Sequence, residues 1–131
     1  ALVRRQRQMC IRDSFYFQAK FTYVGGGFSE RGVQNIIEPS NFGNAILVGP
    51  NTDNFYEEIA YLKRENGITI IDYKDTENIE ESILKYVKKL NEMSFDERFE
   101  IGINAKSYTL QFNGVLEKYL KILKEEKIIT L

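Results

Sequence analysis

Three short apolar runs recur along the chain, "FTYV" at 21–24, "AILVG" at 45–49 and "ITII" at 68–71, and each is followed by a stretch with helical spacing. A run of four or five β-branched, aromatic and aliphatic residues bounded by glycines and polar turns reads as a short strand, and where it is continuously apolar as one buried on both faces. Strands separated by helix-length segments do not pair as hairpins; they pair in parallel through crossover connections. The pattern predicts an α/β fold with a parallel sheet flanked by helices.

The connecting segments fit that reading. "GVQNIIEPSNFG" at 32–43 predicts a short helix that starts close to Asn35 and stops at Gly43, because Pro39 is cheap only within a first turn. "FYEEIAYLKRENG" at 55–67 spaces Phe55, Ile59 and Leu62 for one helix face, with Gly67 as its cap. "DTENIEESILKYVKKLN" at 75–91 is acidic at its start and basic at its end, as a helix dipole favours, and carries the stripe Ile79, Ile83, Val87, Leu90. Its charged side reads as a solvated face. Ser94 and Glu97 have the spacing of a capping box opening a fourth helix. From Phe112 to about Glu125, Phe112, Val115, Leu116, Tyr119, Leu120 and Leu123 predict a closing amphipathic helix packed on the domain. Lys118, Lys121, Lys124 and Lys127 leave an anionic membrane surface as the alternative partner of that helix. The other tyrosines and phenylalanines fall at core-like positions, with no platform on which bases would stack.

The first 14 residues stand apart. "ALVRRQRQMCIRDS" carries four arginines and the only cysteine. A secretory signal needs an apolar core after its basic part, and none follows. Asp13 and the short length argue against a mitochondrial-type presequence, and four arginines make only a small patch for phosphates. Back-translated, Arg4 to Ser14 resembles, without a break, one reading frame of the adapter that transposase-based sequencing libraries attach. Residues 1–14 are therefore expected to be a non-native segment. Without them the net charge changes from −1 to −4 and no cysteine remains. Neither value favours nucleic acid as a partner. The absence of histidine from all 131 residues removes the commonest general base and zinc ligand from the chain.

The stretch that carries chemistry is "YVGGGFSERGVQNIIEPSNFGNAILVGPNTDNF", from Tyr23 to Phe55. A strand ends in Gly25, Gly26 and Gly27, where bare backbone lets a ligand come within hydrogen-bonding distance. N–H groups at the following helix start suit an anion. In open α/β sheets ligands sit at the carboxyl ends of strands, and the loops 25–32 and 49–54 both leave such ends. The glycine spacing is neither the dinucleotide fingerprint nor a P-loop. Glu38 either complements the helix start or holds the vicinal hydroxyls of a ribose, and the glycine loop before it favours the ribose.

These residues resemble the C-terminal part of bacterial 3-deoxy-D-manno-octulosonic acid (Kdo) transferases. That family shows a "VGG-F" loop, matched by Val24, Gly25, Gly26 and Phe28. Its "G-HN--EP" segment is matched by Gly32, Asn35, Glu38 and Pro39. Its "FG-P---GP----NF" pattern is matched by Phe42, Gly43, Gly49, Pro50, Asn54 and Phe55. The likeness runs from Phe15 to roughly Leu123, strongest over 23–55. It implies that residues 15–131 are the Rossmann-like, nucleotide-sugar-binding C-terminal half of a two-domain GT-B-type glycosyltransferase, with an N-terminal acceptor domain expected upstream of Phe15. The implied reaction is transfer of Kdo from CMP-Kdo to a lipid A precursor in lipopolysaccharide biosynthesis, at the cytoplasmic face of the bacterial inner membrane. No metal or other cofactor is implied. By the same resemblance Gly25–Gly27 meet the donor, Gln34 and Asn35 lie at the phosphate end, Glu38 holds the ribose and Asn54 sits at the cleft edge. The general base is expected in the missing domain, so no catalytic residue is assigned here and the chain alone is expected to be inactive. Gln34 stands where the family usually has histidine; it can donate a hydrogen bond but cannot carry positive charge. Two alternatives stay open: a related domain that uses a UDP-sugar, and a non-catalytic nucleotide-binding module.

Overall fold

The computed structural model describes residues 15–16, 18–74, 76–112 and 114–126. The readings made of residues 1–14 and of Lys127 lie outside them. Three strands, β1 (Thr22–Val24), β2 (Ile46–Val48) and β3 (Ile68–Ile70), form a parallel sheet in the order β1-β2-β3. Tyr23 pairs with Leu47, and Leu47 with Thr69. The helices are α1 (Ile37–Asn41), α2 (Tyr56–Arg64), α3 (Ile79–Glu92), α4 (Phe95–Leu110) and α5 (Val115–Glu125), with one 3₁₀ turn, Asp53–Phe55, leading into α2.

β2 is central, and all three of its residues are fully buried. Strand side chains alternate between faces. Ile46 and Val48 therefore join Val24, Ile36, Ile59, Leu62 and Ala105 on one side of the sheet. Leu47 joins Ile71 and Leu90 on the other, where Ile83, Tyr86 and Val87 of α3 pack against it. Each such aliphatic side chain contributes about 1.5–3 kcal/mol relative to exposure. Successive crossovers that move the same way across a sheet with the same hand return on the same face, so α1 and α2 share one layer. α4 completes that layer and α3 forms the other. The result is a three-layer, Rossmann-like α/β arrangement, as the spacing of the apolar runs predicts.

Small residues let α4 come close to its neighbours. A side chain on Gly102 would run into the Gly43 carbonyl, and one on Gly67 would lie 2.7 Å from the Ala105 nitrogen. At the start of α4 the Ser94 side chain accepts from the Glu97 N–H (3.2 Å), and Glu97 accepts from the Ser94 N–H (2.8 Å), completing the capping box. Asn78 caps α3 through the Glu81 N–H.

Three expectations change. α1 begins at Ile37 rather than near Asn35, and Pro39 is its third residue, still inside the first turn. Phe112 is not part of the closing helix: its N–H bonds to the Thr109 carbonyl in a turn after α4, and α5 starts only after Gly114, whose φ of 84° is left-handed. The apolar side of α5 is only partly covered: Leu120 and Leu123 are half-buried, whereas Val115, Tyr119 and Ile122 are exposed. Both sheet faces are already taken by α1, α2 and α4 on one side and α3 on the other, so no sheet surface is left for it. No helix among the described residues is long and apolar enough to cross a membrane.

Candidate functional site

The glycine loop follows β1 directly, and the second loop leaves β2 beside it. The two loops meet backbone to backbone. A Cβ on Gly27 would lie 2.6 Å from Gly49 Cα, and one on Gly49 would lie 2.6 Å from the Gly27 carbonyl carbon, so neither position has room for a side chain. The carbonyls of the glycine loop are used inside the protein. Gln34 N–H donates to Gly25 O (2.9 Å), Ser29 N–H to Gly26 O (3.0 Å) and Asn51 N–H to Gly27 O (2.8 Å). None of these bonds uses an N–H of Gly25, Gly26 or Gly27. Gly27 is buried and is a packing position, whereas Gly25 and Gly26 are partly exposed.

An open depression of about 610 Å³ is lined by α1 with Asn35 before it, the first turn of α2, and the end of α4 with the turn after it. That volume lies within the range of small-molecule sites. Asn35, Ile37, Glu38 and Asn41 line it from α1 and the residues just before it, Tyr108, Thr109 and Phe112 from the end of α4 and the turn after it, and Glu58 from the first turn of α2. Glu38 is half-buried, and the Tyr16 hydroxyl reaches Glu38 Oε2 at 3.5 Å. Asn35 Oδ1 accepts from the Ile37 N–H (2.9 Å), so its side chain takes up one of the free donors at the start of α1. Five residues make α1 too short for a substantial dipole, so the expectation of anion binding at its start loses that support.

The residues singled out by sequence thus divide. Asn35 and Glu38 share the depression. Gly25–Gly27 and Gln34 lie on the adjoining loop, with Gln34 exposed and its backbone tied to Gly25. Asn54 braces the loop from within: its Nδ2 donates to the Val33 carbonyl (2.6 Å), and its amide sits where a Gly32 side chain would be.

Glu58, Tyr108 and Phe112 come from parts of the chain that sequence reasoning assigned to ordinary helix faces or core. The sequence placed the aromatics at core-like positions, and here three of them pack together. Tyr108 stands between Tyr61 and Phe112, each with its ring centroid 5.3 Å away, and Phe112 is exposed. The spacing of Tyr108 and Phe112, four residues apart at the end of a helix, was the available signal. Among the described residues the lining holds two carboxylates and no cation. Burial, then Glu58, then Glu57 push the Tyr108 phenol above its ordinary pKa.

No protein-family model matches the chain. A solved structure does: the C-terminal CMP-Kdo binding domain of WaaA from Acinetobacter baumannii, with a TM-score of 0.53 at 21% identity. The match covers 71% of this chain and 47% of that one, so the chain spans about half the length of its structural neighbour. The fold is shared. At that identity the likeness speaks for the arrangement of strands and helices.

Proposed function

We propose that this chain is a donor-binding domain of a Kdo-transferase-type glycosyltransferase and holds the CMP part of CMP-Kdo. The observation that carries the reading is the position of Glu38. The glutamate of the "EP" segment, on the helix that follows the glycine loop, lines a ligand-sized depression in a fold shared with a domain described as CMP-Kdo binding. A carboxylate there accepts hydrogen bonds from both ribose hydroxyls. The phosphate lies toward the N–H groups of Gly25 and Gly26, with Gln34 and the Asn35 amide as neutral donors. Asn54 and Gly27 act indirectly, by holding the loop.

In the full reading this domain is one half of a GT-B enzyme that transfers Kdo to a lipid A precursor at the cytoplasmic face of the bacterial inner membrane, without a metal on the donor. The general base belongs to a second domain, so this chain alone binds the donor and does not transfer it. A second reading stays open. Gln34, in place of the family's histidine, offers no positive charge to the phosphate, and a glycine loop followed by a glutamate also fits a related domain that takes a UDP-sugar.

Thermal unfolding with CMP, CDP and UDP tests the choice. Ligand at about 100 times its Kd stabilises a protein by about 2.7 kcal/mol, a shift of several degrees in melting temperature. The expected result is such a shift with CMP, absent in Glu38→Ala. A larger shift with UDP selects the second reading, and no shift with any nucleotide refutes both.

A further inference from the structure

We infer that Glu58 selects the base of the bound nucleotide by accepting a hydrogen bond from the 4-amino group of cytosine, while Tyr108 and Phe112 give the ring a stacking wall. The inference rests on the donor-binding reading and extends it to residues that carry no part of the sequence motif.

The division of charge around the depression fixes which end of a nucleotide belongs where. Among the described residues Glu38 and Glu58 line it without a lysine or arginine, so it disfavours a phosphate and favours hydroxyl and amino donors. With the ribose at Glu38 and the phosphate at the glycine loop, the base is left to the rest of the lining, which includes Glu58, Tyr108 and Phe112. That wall is held in place before any ligand arrives. Tyr108 packs against Tyr61 at an interplanar angle of 60° and against Phe112 at 68°, and the Tyr61 hydroxyl is 3.1 Å from Ser107 Oγ. A preformed aromatic surface stacks any base and so gives affinity without choice. Choice needs a polar group at the base edge. A carboxylate accepts from the amino group at position 4 of cytosine, whereas the carbonyl oxygen at that position in uracil would face it acceptor to acceptor. Glu58 and Tyr108 line the same depression.

Calorimetric titration of the whole chain with CMP and with UMP is the test. The unmodified chain is expected to bind CMP about tenfold more tightly than UMP or better, the scale of one base-edge contact to a charged group. Glu58→Gln, which can both donate and accept, should bring the two affinities within about threefold of each other, mainly by weakening CMP. Tyr108→Leu should weaken both nucleotides together and leave their ratio unchanged, while Tyr108→Phe should bind as the parent does. Melting curves of each variant confirm that it is folded. A CMP preference that survives Glu58→Gln, no preference in the parent, or full affinity in Tyr108→Leu overturns this inference and leaves the donor-binding reading standing. Failure of the parent to bind either nucleotide overturns both.

Discussion

The Tyr108 phenol is the residue whose titration reports most directly on the site. Its pKa is raised, first by burial and then by Glu58 and Glu57, so the folded protein holds this proton more tightly than the unfolded chain does. The associated stability is fully present below the unfolded phenol value of about 10 and is lost as pH rises through the folded-state value. The difference in phenolate absorbance between the parent and Tyr108→Phe should show a midpoint above 10, moving back toward 10 in Glu58→Gln. An unshifted midpoint would separate Glu58 from Tyr108. The glycine corner gives a second expectation at this scale. Gly27→Ala puts a methyl 2.6 Å from Gly49 Cα, so the two loops must part. A loss of about 1–3 kcal/mol in urea unfolding is expected, the usual scale of overpacking, together with weaker nucleotide binding. The motif announces that glycines are needed here. It does not announce that Gly27 serves loop packing, because that depends on Gly49, which only the sheet brings alongside.

Elements were legible wherever one local pattern decided them. β2 reads as a buried strand from five consecutive apolar residues, and it is one. The capping box at Ser94 and Glu97 is a three-residue spacing with a single geometric meaning. Ser94→Ala should cost about 1 kcal/mol in urea unfolding, and an unchanged midpoint would mean that the start of α4 is held by packing alone. Arg98 adds a link invisible in the sequence, reaching back to the carbonyls of Leu90 (3.1 Å) and Asn91 (3.3 Å) at the end of α3. The closing helix was half legible. Its amphipathic spacing locates α5, but not what covers it. Helical periodicity says that a face is apolar; whether a surface remains free to bury it is settled by where α1, α2, α3 and α4 have already packed.

At the scale of the whole molecule, the strand order β1-β2-β3 sets the glycine loop and the loop after β2 side by side. It also gathers α1, α2 and α4 on one face, and Glu38, Glu58 and Tyr108 meet there from three separate helices. Sequence supplied Glu38 through its motif and missed the other two, because neither has a local signature and their meeting is a product of topology. The central claim, that this meeting point holds a cytidine nucleotide, is tested most directly by following backbone amide resonances of the chain as CMP is added. The expected shifts cluster at Gly25 and Gly26, at Gln34 to Asn41, around Glu58 and at Tyr108 to Phe112, and vanish in Glu38→Ala. Shifts confined to other surfaces, or a spectrum unmoved by CMP, would contradict the account.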